Sequence, residues 1–97
     1  MNVDIRTVHF DISDRTKEYI DKKLDRIDFA KDYIIDFILS FTKEKNSLYK
    51  TDCTINFRWG KSTHIGTEAH DLIEAIDKLF DKTVNKVTKE KNKVQEH

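Results

Sequence analysis

Tyr49-Lys50-Thr51-Asp52-Cys53-Thr54-Ile55-Asn56-Phe57-Arg58-Trp59 alternates without a break. Tyr49, Thr51, Cys53, Ile55, Phe57 and Trp59 fall on one side, and Lys50, Asp52, Thr54, Asn56 and Arg58 on the other. A period of two with one apolar and one polar side is the pattern of a β-strand covered on one face and wet on the other. Gly60-Lys61 follows and reads as a tight hairpin turn into a shorter strand over 61–67. Upstream, residues 43–48 form a polar turn around Asn46-Ser47. Before that turn, residues 33–43 are rich in Ile and Phe, with Ile35, Phe37, Leu39 and Phe41 expected on one side of a strand. Three strands joined by short turns predict an antiparallel meander.

The flanks of this meander complete the fold. Residues 2–8 alternate, with Val3 and Ile5 opposite Asp4 and Arg6, and predict a further strand. Ser13 is a candidate N-cap with Asp14 favourable in the first turn, and helical spacing then runs to about residue 31. Ile20, Leu24 and Ile27 form its buried stripe, with Thr16 at the edge. Asp71-Leu72-Ile73-Glu74 has capping-box spacing and opens a helix expected to reach about residue 94. The chain contains no proline to interrupt it, and at ~1.5 Å per residue it would be roughly 35 Å long. The expected architecture is α+β, a single domain over residues 1–97 in the order β-α-β-β-β-α, with a four-stranded sheet and two helices packed on one face.

Composition narrows the function classes. A chain of 97 residues suits one domain with one core. No run approaches the roughly 18 apolar residues of a membrane span. Met1-Asn2-Val3-Asp4 lacks the basic and apolar regions of a signal peptide, so the expected location is the cytoplasm. Cys53 is the only cysteine and sits in mid-strand, which reads as a packed core thiol rather than a nucleophile. His64, Glu68, His70 and Asp71 bring metal-ligand types together, but in no zinc spacing, and a strand-to-helix junction carries such residues for capping. The only glycines are Gly60 and Gly66, so there is no glycine-rich phosphate loop. The residues therefore point to no enzyme, no metal and no cofactor.

Charge is the informative feature. Lys+Arg and Asp+Glu both number 18, so the net charge is zero, and attraction for phosphate would have to come from segregation rather than excess. On a helical wheel Lys78, Lys82, Lys86, Lys89 and Lys93 form one stripe. Glu74, Asp77 and Asp81 lie on the opposite flank of the apolar face formed by Leu72, Ile76, Leu79, Phe80, Thr83 and Val87. In the first helix Arg15, Lys22 and Arg26 share a face with Tyr19, roughly opposite the buried stripe, beside an acidic group of Glu18, Asp21, Asp25 and Asp28. Lysines on a solvated helix face commonly serve solubility alone. Sorted charge on both helices also suits RNA, where cations neutralise phosphates without reading sequence. Tyr19 and Trp59 could stack on bases, although a hairpin cover is the preferred reading of Trp59.

With these residues in view, the chain resembles the ribosome hibernation promoting factors. The segment Thr67-Glu68-Ala69-His70-Asp71-Leu72-Ile73-Glu74-Ala75-Ile76-Asp77-Lys78-Leu79-Phe80-Asp81-Lys82 is similar to the family's pattern of Glu, two variable residues, Asp, then Ala-Ile-Asp and Asp-Lys. Thr88-Lys89-Glu90-Lys91-Asn92-Lys93 is similar to its lysine-rich helix end. Val3-Asp4-Ile5, Ile12-Ser13-Asp14 and Lys22-Lys23-Leu24-Asp25-Arg26-Ile27 also fit without gaps. The resemblance implies the same β-α-β-β-β-α fold. It implies binding to the small ribosomal subunit and its rRNA, in the channel that takes mRNA and the anticodon ends of tRNA. Translation would be blocked there during starvation or stationary phase, in competition with mRNA and tRNA. RNA-binding positions that match the family are Lys17, Lys23, Arg26, Lys82, Lys89, Lys91 and Lys93, while Lys22, Lys78 and Lys86 join them by helical spacing. The balanced charge departs from the family. Long members carry a C-terminal domain that pairs ribosomes; this chain reads as a short form without it, expected to be a monomer off the ribosome. Val94-Gln95-Glu96-His97 is too short to be the tail of some short members.

Other readings stay open. The strand-strand-strand-helix half is topologically like a general double-stranded RNA-binding module. A small α/β enzyme lacks support in nucleophile and phosphate loop. A protein-docking module could use the acidic stripe Glu74-Asp77-Asp81.

Overall fold

In chain order the elements are β1 (Asn2–Val8), α1 (Asp14–Leu24), a 3₁₀ helix (Asp25–Tyr33), β2 (Ile34–Lys43), a short 3₁₀ turn (Lys45–Ser47), β3 (Tyr49–Phe57), β4 (Ser62–Ala69) and α2 (Leu72–Gln95). They come from a computed structural model, which describes residues 1–95. Glu96 and His97, the end of the short tail, lie outside the described residues. The sheet order is β1-β2-β3-β4. The expected meander is present, with β2–β3 and β3–β4 both antiparallel. β1 pairs parallel to β2, with Val3 opposite Phe37 and Ile5 opposite Leu39, so α1 and the 3₁₀ helix form the crossover between them.

Strand alternation places the core. Phe37, Leu39 and Phe41 of β2 and Thr51, Cys53, Ile55 and Phe57 of β3 are buried against the helices. From above, Ile20, Ile27 and Ala30 close one half and Ala75, Ile76, Leu79, Phe80 and Val87 the other. Phe37 and Phe80 meet at 6.2 Å between ring centroids. Each large side chain so buried contributes about 1.5–3 kcal/mol. A polar group set deep between sheet and α2 is satisfied: Thr51 shares a hydroxyl bond with Thr67, and Thr67 Oγ1 donates to the carbonyl of Ala75 at 3.0 Å. The opposite face is polar and continuous. Asn2, Asp36, Asn56 and Ser62 stand in register across all four strands, joined by Asn56 Nδ2 to Asp36 Oδ2 (3.2 Å) and Ser62 Oγ to Asn56 Oδ1 (2.6 Å).

Three local expectations change. The register shifts between Ile34 and Asp36. This bulge buries Ile34 and turns Ile35 outward, 43% exposed, so Ile35 does not share a side with Phe37. The first helix does not stay α-helical to residue 31. From Asp25 it tightens to 3₁₀ geometry, whose three-residue period stacks Ile27, Ala30 and Tyr33 over one another. Ile27 and Ala30 are thereby fully buried, while Phe29 turns outward. The long β3 strand ends at Phe57, because Arg58-Trp59-Gly60 form the hairpin loop. Gly60 N–H donates to the Phe57 carbonyl at 3.1 Å, and Phe57 N–H donates to that of Lys61 at 2.8 Å. Gly60 takes φ +85°, a conformation strained for any side chain.

Both helix starts are capped as expected. Ser13 Oγ accepts from Thr16 N–H at 3.1 Å, and Asp71 Oδ1 accepts from Ile73 N–H at 3.0 Å. Glu74, which would close the capping box, pairs instead with Lys78 at 3.2 Å. Among the described residues no helix is long and apolar enough to cross a membrane.

Candidate nucleic-acid interface

The two helices lie side by side over the sheet, and their seam consumes opposite charges. Lys23 Nζ lies 3.1 Å from Asp77 Oδ1, and the Tyr19 hydroxyl donates to the same carboxylate. Arg26 Nη1 reaches Asp81 Oδ1 at 2.7 Å. The acidic flank of α2 is thus the surface on which the first helix docks: two of the three residues of the acidic stripe meet it, and the third, Glu74, pairs with Lys78 within α2. Burial pushes the Asp77 carboxyl up, but the Tyr19 hydroxyl and the Lys23 ammonium outweigh it and hold it below its ordinary value. Asp77 in turn raises the Lys23 ammonium and the Tyr19 phenol above theirs. Tyr19 therefore does not stand opposite the buried stripe; it faces α2, with the Lys23 ammonium 5.3 Å from its ring centre.

On its other flank α2 overlooks β4, an open sheet edge. Lys82, Lys86 and Lys89 line a shallow groove there with Thr63, His64, Ile65 and Asn85. Among the described residues Lys82 and Lys89 have no carboxylate partner, nor do Lys17 and Lys22 on α1. Lys86 differs, because its Nζ is 3.4 Å from Glu90. Glu90 is 2% exposed and also accepts from Lys61 at 2.8 Å and faces Lys93 at 3.6 Å. The hydrogen bond from Lys61, followed by that from Lys86, holds its carboxyl below the ordinary range against the opposing effect of burial. One buried carboxylate thus gathers three ammonium groups, one from the β3–β4 hairpin and two from α2. Lys91 points to the other side, 5.7 Å from the ring centre of Phe29 and 5.9 Å from that of Tyr33.

The ten cations singled out in the sequence thus fall into five groups. Lys23 and Arg26 zip the helix seam. Lys78 pairs within α2. Lys82, Lys86 and Lys89 edge the β4 groove. Lys91 and Lys93 occupy the end of α2, while Lys17 and Lys22 lie on the outer surface of α1. His64 is held by Asp52 (3.1 Å) and Thr54 (3.2 Å) on the open sheet face. Among the described residues no three of His, Cys, Asp and Glu converge as a metal site. Burial pushes the Cys53 thiol up to about 12.

Comparison with known proteins fits this geometry to a family. The family model described as Sigma 54 modulation protein / S30EA ribosomal protein matches residues 3–95. The chain belongs to that family. The ribosome hibernation promoting factors of Escherichia coli (strain K12) and Shigella flexneri are each 27% identical to it over 97 residues, the whole of both chains. A ribosomal subunit interface protein from Coxiella burnetii is similar in structure, with a TM-score of 0.84 at 25% identity, covering 95% of this chain and 99% of that one. The N-terminal domain of Thermus thermophilus Protein Y has the same fold, with a TM-score of 0.78 at 22% identity, covering 92% and 98%.

Within this member of the S30EA family, two elements of the surface escaped the sequence reading. The sequence places Lys61 only in a turn, yet Glu90 draws it to the α2 lysines. Glu90 stands in the sequence only as one acid within the lysine-rich helix end. Its spacing from Thr83 and Val87 continues the apolar stripe, and that was the available signal that it is buried.

Proposed function

We propose that this protein is a ribosome hibernation factor that binds the small ribosomal subunit through rRNA, in the channel used by mRNA and tRNA, and blocks translation by occupying it. The observation that carries this reading is the separation of charge on a fold of the S30EA family. Among the described residues the acids of α2 are paired within the fold, Asp77 and Asp81 at the helix seam, Glu74 with Lys78, and Glu90 with Lys61, Lys86 and Lys93, so Lys82 and Lys89 beside β4, and Lys17 and Lys22 on α1, remain to meet phosphate. This separation explains how a chain of zero net charge can bind RNA. Affinity would come from lysine–phosphate contacts and counterion release, so it should fall steeply with salt. No catalytic step and no cofactor is required; the protein acts by steric exclusion, in the cytoplasm, as a monomer off the ribosome. Lys23, Arg26 and Lys78 act mainly by fixing the helices, and Lys86, Lys91 and Lys93 flank the contact.

The test is co-sedimentation of the purified protein with empty ribosomes at low and high salt. Salt-sensitive pelleting with the small subunit, relieved by mRNA and initiator tRNA, is the expected result. No pelleting at low salt would overturn the reading. Equal affinity for an isolated RNA duplex would replace it with a general double-stranded RNA-binding role.

A further inference from the structure

We propose that Trp59, backed by Tyr33 and Lys91, forms a stacking site for an unpaired RNA base at the end of the molecule where the β3–β4 hairpin, the 3₁₀ helix and the last turns of α2 meet. The proposal rests on the RNA-binding reading above and adds to it a contact that lysines alone do not supply.

The site is built rather than incidental. The Trp59 ring lies 4.8 Å from that of Phe57 at an interplanar angle of 13°, so it is seated on a core side chain that is itself only 2% exposed. Tyr33 braces it at 6.1 Å and 63°. Arg58 N–H donates to the Tyr33 carbonyl at 3.0 Å, and its guanidinium donates to the Asp32 carbonyl, which pins the hairpin tip to the 3₁₀ helix. The indole is therefore held in place before any ligand arrives, yet Trp59 remains 36% exposed and Phe29 nearby 47%. A rigid aromatic with exposed surface is what base stacking uses, because every base has a π-face.

The surrounding charge selects the ligand. The Lys91 ammonium sits between Phe29 and Tyr33, at 5.7 and 5.9 Å from their centres. Two of the acids nearby are already engaged. Asp28 faces Lys31 at 3.8 Å, and Glu90 is shared among Lys61, Lys86 and Lys93. An apolar platform framed by cations suits a base whose flanking phosphates reach the lysines. A purely apolar protein partner would bring no counter-charge to the Lys91 ammonium.

Trp59 is the chain's single tryptophan, so it reports on its own occupancy. The full chain would be titrated at low salt with a short single-stranded RNA, and separately with an abasic oligomer of equal length and charge, while tryptophan fluorescence and anisotropy of the labelled oligomer are followed. The expected result is quenching by the RNA only, with the abasic oligomer binding about tenfold more weakly, the size of one base–aromatic stack. Trp59→Leu should lose the same factor for RNA and none for the abasic oligomer. Equal binding of the two oligomers without quenching would overturn the proposal, as would quenching by rRNA-free ribosomal proteins in place of RNA. The oligomer comparison uses the unaltered protein, so it stands even if Trp59→Leu fails to fold. Ribosome pelleting separates the two readings. Pelleting with no oligomer quenching removes the stacking site and leaves the ribosome role. Quenching without pelleting does the reverse.

Discussion

Lys61 Nζ, in the β3–β4 hairpin, lies 2.8 Å from Glu90 Oε1, on a carboxylate that is buried beneath the last turns of α2. This contact ties the hairpin to the helix and sets the position of the lysines around it. A Glu90→Gln change keeps the shape and removes the charge. It should lower stability by about 1–3 kcal/mol, the range for a hydrogen bond to a charged group that is lost from a buried site. It should also tighten ribosome binding at low salt and steepen its salt dependence, because three ammonium groups lose their shared counter-charge. Urea melts and pelleting at several salt concentrations read the two effects separately.

Stability should fall at both ends of the pH range. Glu90 and Asp77 are held below their ordinary values of 4.5 and 3.8 in the folded chain. The unfolded chain therefore takes up protons first as pH drops, so their contribution is complete above those values and is lost as pH falls through the folded ones. Lys23 and Tyr19 are raised above 10.5 and 10.0. Their contribution is complete below those values and is lost as pH rises through the folded ones. Asp77→Asn should blunt the losses at both ends, and Glu90→Gln only the acid one, in thermal melts across pH.

Reversing Lys82 and Lys89 together to Glu should abolish salt-sensitive pelleting with ribosomes while leaving the melting curve close to that of the parent. Neither lysine has a carboxylate partner among the described residues, so nothing in the fold depends on its charge. Lys93→Glu is a poorer probe. It would set an acid beside the buried Glu90, and a loss of binding could then follow from a loss of fold.

Cys53 should resist thiol reagents in the folded protein. It is fully buried, and burial pushes its thiol up to about 12, so almost no thiolate exists at neutral pH. Labelling should proceed only through opening of the β2–β3 core and accelerate sharply in denaturant. Rapid labelling in buffer would contradict this packing.

Much of the fold is written in local periodicity. Thr51, Cys53, Ile55 and Phe57 are buried as their alternation requires, and Ser13 and Asp71 cap the helices that they precede. What escaped depends on partners distant in sequence. Ile35 reads as core by strict alternation, and only a bulge against β3 turns it out. Helical spacing over residues 14–31 does not distinguish an α-helix from one that tightens at Asp25, because Ile27 and Ala30 satisfy either period. For the candidate interface, the charge stripes were visible on a wheel. Which lysines the fold occupies was not, since Asp77 and Asp81 meet residues more than fifty positions away.

β1 is the one strand whose partner lies beyond a crossover. The β2–β3–β4 hairpins close over a few residues each, whereas β1 joins β2 only after α1 and the 3₁₀ helix have been traversed. Closing that longer loop costs more entropy, and the strand that closes it is an edge whose Val3 and Val8 are each 41% exposed. β1 is therefore the natural last arrival in assembly and the first to fray. Its amides should exchange with solvent ahead of those of β2 and β3, and the meander with α2 should behave as the nucleus that it joins.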